Sequence, residues 1–127
     1  MKPPTILCVD DDITGLTIRK KILEMSGYSV VTARNGGLAM QLFISSVPDL
    51  VITDQYLEGK SGTEIAAEMK RLRPGVPIVI MSGAFEEPEG IEHADLFITK
   101  GDAPHIWLKK ISEVLQWARH RVARRAA

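Results

Sequence analysis

Ile6-Leu7-Cys8-Val9-Asp10-Asp11-Asp12 is the stretch that decides the fold: four apolar residues that stop abruptly at three acids. The pattern recurs along the chain. Leu50-Val51-Ile52-Thr53 stops at Asp54, Ile78-Val79-Ile80-Met81 at Ser82, and Leu96-Phe97-Ile98-Thr99 at Lys100. Short, β-branched, nearly all-apolar runs are those of parallel strands buried on both faces. In an open parallel sheet, ligands bind outside the carboxyl ends of the strands. Acids, a hydroxyl and a lysine at four such ends read as one site for a metal and a phosphoryl group.

Working outward, helical stretches fill the gaps and give five β-then-α units. A first helix is expected from about Thr14 to Ser26, stopped by Gly27. Its apolar residues fall on two sides, Leu16 and Leu23 on one and Ile18, Ile22 and Met25 on the other, which predicts a helix wedged between neighbours. Ser29–Ala33 reads as the second strand, and Asn35 as the cap of a helix carrying Leu38, Ala39, Leu42 and Phe43. Pro48-Asp49 breaks that helix. Ile65, Met69 and Leu72 form the stripe of the third, ended by Pro74-Gly75. The last helix, started by Asp102 and Pro104, carries Trp107, Ile111, Val114 and Ala118. Such alternation implies a doubly wound parallel sheet with helices on both faces and right-handed crossovers.

Composition narrows the class. The 127 residues suit one domain, and 16 basic against 16 acidic residues leave no global field to draw nucleic acid or an anionic membrane. The basic tail, about 119–127, is read as cations favouring a helix C-terminus rather than as a nucleic-acid site. The one cysteine, Cys8, lies in the first strand as core filler, and no disulfide framework is expected. No apolar stretch approaches the ~20 residues of a membrane span. A soluble cytoplasmic domain is expected.

The residues resemble the receiver domains of bacterial two-component response regulators over roughly Ile6 to Leu115. The resemblance is carried by Ile6 to Asp12, Pro48 to Asp54, Gly62, Val76 to Gly83 and Phe97 to Lys100, all in order. It implies the flavodoxin-like (βα)5 fold, with five parallel strands in the order 2-1-3-4-5. It also implies a phosphorylation switch that catalyses only its own phosphorylation and dephosphorylation. Asp54 matches the phosphoacceptor, Asp10 and Asp11 the acidic pair, Ser82 the hydroxyl and Lys100 the lysine. Phe97 matches the aromatic that turns between inward and outward states. The expected partners are a sensor histidine kinase or histidine phosphotransfer protein, which supplies a phosphohistidine, and an unidentified downstream protein. A homodimer stays open, and neither membrane nor direct nucleic-acid binding is expected.

The chemistry fits without the family. Clustered carboxylates raise one another's pKa unless a cation sits among them, and Mg2+ suits an all-oxygen site completed by water. Asp11 and Asp54 are expected as direct ligands and Asp10 as one acting through water. The resemblance adds the backbone carbonyl of Tyr56. Lys100 and Ser82 would each reach a phosphate oxygen. Asp12 is read as a helix cap. His93, His105 and His120 share no ligand spacing and read as surface residues, and Trp107 and Trp117 as core and helix-packing residues.

Three departures from the family pattern point away from the catalytic groups. Gly101 follows Lys100 where a proline after a cis peptide is usual, so either that peptide is cis at a cost of about 3 kcal/mol or the loop differs. Leu57-Glu58 replaces Met-Pro. The stretch between Ser82 and Phe97 is short, and Pro88, Gly90, Glu86, Glu87, Glu89 and Glu92 predict a fourth helix that is short, frayed or replaced by an irregular loop. Tyr56 and Ala84 flank the expected path of a hydrolytic water, which predicts a long-lived acyl phosphate. One rival is a haloacid-dehalogenase-type phosphatase with Asp10 as nucleophile, suggested by Asp10-Asp11-Asp12-Ile13-Thr14. It lacks a later acidic pair and gives Asp54 no role. A phosphorylation-independent receiver-like adaptor is disfavoured because every catalytic position is filled.

Overall fold

The computed structural model describes residues 2–83 and 87–126. Its elements run β1 (Thr5–Val9), α1 (Ile13–Met25), β2 (Ser29–Ala33), α2 (Gly36–Ser46), β3 (Leu50–Asp54) and α3 (Gly62–Leu72). They continue as β4 (Ile78–Ser82), a 3-10 turn (Ile91–His93), β5 (Leu96–Thr99) and α4 (Pro104–Ala126). All strand pairs are parallel, in the order β2-β1-β3-β4-β5. This is the expected doubly wound flavodoxin-like sheet.

Alternation along each strand sorts the core into two layers. Ile6, Cys8, Leu50, Ile52, Val79, Met81 and Ile98 face α1 and α4, meeting Leu16, Leu23, Trp107, Ile111 and Leu115. Leu7, Val9, Val51, Ile78 and Ile80 face α2 and α3, meeting Ala39, Phe43, Ile65, Ala66 and Met69. Short strands of this kind leave little to chance at their ends. The register pairs Val9 with Thr53, Asp54 with Met81 and Ser82 with Thr99, so all the strand ends finish along one edge.

Local chemistry fixes the helix starts. The Asn35 side chain accepts the Leu38 amide at 2.8 Å and Ser61 accepts the Glu64 amide at 3.2 Å. Asp12 occupies the cap position of α1 but its side chain makes no capping hydrogen bond, so only half of that expectation holds. Gly27, at φ +96°, ends the region after α1 as expected.

Several burial expectations are corrected. Helix α1 is not wedged: Ile18 is 56% and Met25 80% exposed, and one stripe of Leu16, Arg19 and Leu23 is buried. Leu72 is 55% exposed because it is the last residue of α3, where the stripe runs past its support. Trp107 is core, but Trp117 lies on the surface with the Arg121 guanidinium 4.6 Å over its ring. His93, His105 and His120 are exposed, as expected. The described residues contain no cis peptide, so Lys100–Gly101 is trans and the loop differs.

Between β4 and β5 the described residues hold the 3-10 turn and no regular helix. Pro88 has no amide to donate, and its carbonyl accepts the Ile91 amide at 3.3 Å. Gly90 sits at φ +86°, a conformation that a regular helix does not use. Ile91 and Ala94 then seat the turn on the α2–α3 layer. Ala84 and Glu86 lie outside the described residues. No helix among the described residues is long and apolar enough to cross a membrane.

The core position of Cys8 has a measurable consequence. Burial pushes its thiol from 9.0 up to about 12, with Arg19 opposing and Asp10 adding to the shift. At pH 8 the native chain should resist a thiol reagent and react promptly once unfolded in urea. An unfolded thiolate forms earlier than a native one, so the stability Cys8 contributes is present below pH 9.0 and lost towards about pH 12. Rapid labelling of the native protein at pH 8 would count against this burial.

Candidate functional site

The edge where the strands finish gathers the expected groups. Asp10 follows β1, Asp54 ends β3, Ser82 ends β4 and Lys100 follows β5. The loop after β5 is held by the Lys100 amide donating to the Ser82 carbonyl at 2.7 Å. From there Lys100 Nζ lies 3.0 Å from Asp10 Oδ2 and 3.3 Å from Asp54 Oδ1. Asp10, Asp11 and Asp54 each offer one oxygen, all within 4.8 Å of one another. An all-oxygen set of that spread suits a hard divalent cation with water completing the shell.

The two inner carboxylates are not equivalent. Asp10 has no exposed surface. Burial alone would push its carboxyl up, but the Asp12 amide at 3.0 Å, Lys100 and Arg19 together outweigh burial and hold it below the usual carboxylate range. Asp54 retains 7% exposure. Burial raises its carboxyl, Lys100 opposes and Asp10 adds to the rise. Asp10 is therefore a firmly ionised anchor, already engaged on both oxygens. Asp11 and Asp54 are better placed to meet a cation directly.

Arg19 belongs to this site and was not among the residues expected there. Its Nη1 lies 3.3 Å from Asp10 Oδ2, and the residue is 9% exposed. The signal was its spacing: position 19 shares a face with Leu16 and Leu23, where a cation needs a partner. Ser82 is 1% exposed at the end of β4. Phe97 is partly buried against the α2–α3 layer. Tyr56 is 66% exposed and borders a groove with Thr63, Glu64, Pro88, Gly90 and His93.

Support beneath Asp54 comes from the start of α3. The Gln55 carbonyl accepts the Gly62 amide at 2.9 Å. The buried Gln55 side chain accepts the Thr63 amide at 3.0 Å and donates to the Thr63 hydroxyl at 3.3 Å. Gly62 presses against the strand: a Cβ there would collide with the Asp54 carbonyl oxygen and lie 3.1 Å from its carbonyl carbon. Only glycine lets α3 begin this close to β3.

A family model described as the response regulator receiver domain matches residues 6–105. The phosphate regulon transcriptional regulatory protein PhoB of Pseudomonas aeruginosa is 34% identical over 88% of this chain, which spans 52% of that relative. The chain thus covers about half of PhoB's length. Among solved structures, a response regulator receiver domain protein (CheY-like) from Methanospirillum hungatei JF-1 superposes with a TM-score of 0.87 at 31% identity. That match covers 94% of this chain and 98% of the other. Response regulator protein TrrA of Thermotoga maritima, solved in complex with Mg(2+)-BeF, gives a TM-score of 0.83 at 28% identity, covering 87% and 98% of the two chains.

The Gly62 contact can be tested directly. Gly62→Ala should force α3 away from β3 and lower stability by about 1–3 kcal/mol in urea denaturation. An unchanged midpoint would show that the strand end does not depend on this approach.

Proposed function

Because the chain belongs to the response regulator receiver domain family, we propose that it is a phosphoacceptor switch of two-component signalling in which Asp54 receives the phosphoryl group. The donor is a phosphohistidine on a sensor histidine kinase or a histidine phosphotransfer protein. The observation that carries this reading is the placing of Asp54 at the rim of the acidic cluster, with Lys100 Nζ 3.3 Å away and Asp10 beside it.

In the proposed reaction an Asp54 carboxylate oxygen attacks phosphorus in line with the leaving imidazole nitrogen. The phosphorus–nitrogen bond breaks, its electron pair returns to the imidazole, and an acyl phosphate forms. Little bond-making help is needed, so catalysis rests on positioning and charge. Lys100 would exchange its contact with Asp54 for a phosphate oxygen and keep Asp10 as its anchor. The Ser82 hydroxyl would take a second oxygen, and the partly buried Phe97 would follow it in the switch. Asp11, Asp54 and the Tyr56 carbonyl would hold Mg2+, with Asp10 acting through water. When bound, the ion offsets the negative charge that Asp54 and the phosphoryl group bring together. Asp10 makes a poor rival nucleophile, being fully buried and held by three donors. Transcriptional control is one output compatible with this reading, as the Pseudomonas relative is named a transcriptional regulatory protein.

The reading is tested with acetyl phosphate as the donor. With MgCl2 the natural chain should gain one phosphoryl group by intact mass, and with EDTA it should gain almost none. Asp54→Asn should abolish the gain, while Asp12→Asn should keep most of it. Full labelling of Asp54→Asn, or phosphate mapped to Asp10, would transfer the reading to the phosphatase class.

The lifetime of the acyl phosphate is set by access of water. The large Tyr56 ring, two residues beyond Asp54, is expected to crowd that approach. Ala84, the other flanking position, lies outside the described residues. Self-dephosphorylation should be slow, and Tyr56→Asn should speed it severalfold in a phosphate-release assay. Loss within seconds from the natural chain would contradict the crowding.

A further inference from the structure

We propose that Arg19 is a resident counter-ion of the acidic site. It is a positioning residue that holds Asp10 before a divalent cation arrives and makes that cation's binding weaker and easily reversed. This inference rests on reading the cluster as a divalent-cation site.

Long side chains on a helix lean toward its N-terminus and cover the residue four positions back. For Arg19 that residue is Gly15, which has no side chain to obstruct it. A Cβ at Gly15 would lie 2.9 Å from Asp12 Oδ2 and 3.9 Å from Arg19 Nη2, so the guanidinium passes beside this glycine on its way to Asp10. It reaches Asp10 Oδ2 at 3.3 Å, the same oxygen that Lys100 holds at 3.0 Å. The burial is nearly complete, at 9% exposure, on the stripe shared with Leu16 and Leu23.

The charge balance follows. Asp10, Asp11 and Asp54 bring three negative charges, and Lys100 and Arg19 return two. These five groups sum to −1 with Arg19 and to −2 without it, and the Asp12 carboxylate beside Gly15 adds one more negative charge to either sum. Arginine cannot shed its proton, so this positive charge is permanent. A divalent cation would meet an acidic site already partly neutralised and would share Asp10 with a guanidinium. A hollow of about 240 Å³ beside Arg19, bordered by Ile22, Met81 and Trp107, gives the guanidinium room to turn aside. A purely structural ion pair would stabilise α1 against β1 and leave cation affinity untouched. The two roles separate experimentally.

The test uses the full chain with Arg19→Met, similar in length but neutral, and Arg19→Lys, which keeps the charge. Mg2+ is titrated by calorimetry, and melting is followed with and without MgCl2. Arg19→Met should bind Mg2+ about tenfold more tightly, from the loss of one nearby positive charge. Arg19→Lys should stay within about twofold of the natural chain. Metal-free Arg19→Met should melt lower and recover more on adding MgCl2 than the natural chain does. If Arg19→Met does not fold, Arg19→Gln removes the same charge while keeping a hydrogen-bond donor for Asp10. Equal Mg2+ affinity in the natural and neutral chains, with binding lost in Asp11→Asn, would overturn the role of Arg19 and leave the cation site standing. No binding by any of them would overturn the cation site and this inference together.

Discussion

A carboxylate cut off from water must be neutralised by the protein around it, and Asp10, with no exposed surface, places that demand on three separate parts of the chain. The Asp12 amide answers from the turn into α1, Arg19 from within α1, and Lys100 from beyond β5. Leaving such a charge unpaired costs several kcal/mol, roughly as much as many small domains hold in reserve. The parallel register then does the rest. Once β1 lies beside β3, Asp54 must finish next to Asp10.

That arrangement produces a division of labour between two chemically identical groups. Asp10 is held low by donors on both oxygens, whereas burial lifts Asp54 and Lys100 offsets only part of the rise. When environments push two carboxyls apart in this way, their roles differ. One is fixed as an electrostatic anchor. The other keeps a margin of exposure, which suits a group proposed to change its bonding partner.

Much of this was legible because buried parallel strands leave strong marks. The runs at Ile6, Leu50, Ile78 and Leu96 end at polar residues, and the structure ends the strands there or within one residue. That the described residues between β4 and β5 form no regular helix was legible too, since Pro88 and Gly90 each oppose helix and act within one short segment. Burial was harder to read. Ile18, Met25, Leu72 and Trp117 are apolar yet substantially exposed, because an apolar residue is free to remain at the surface when no neighbour packs over it. Arg19 shows the converse. Its charge suggests a solvated face, and only its spacing from Leu16 and Leu23 shows that it needed a buried partner.

The β4–β5 connection also reaches the neighbourhood of Asp54. Gln55 grips Thr63 through both the oxygen and the nitrogen of its side-chain amide, and Thr63 in turn stands against the turn at Gly90, where a Cβ would come within 3.3 Å of its side chain. Ile91 then anchors the turn in the α2–α3 layer that also receives Phe97. Contacts thus run from the end of β3, through the first turn of α3, to the turn between β4 and β5. Under the proposed chemistry, a phosphoryl group on Asp54 would arrive one residue from the Gln55 clamp. Its charge would bear on a three-residue 3-10 turn rather than on a whole helix. A small element of that kind yields to a smaller bias than a packed helix does, because fewer buried contacts must be exchanged for it to move.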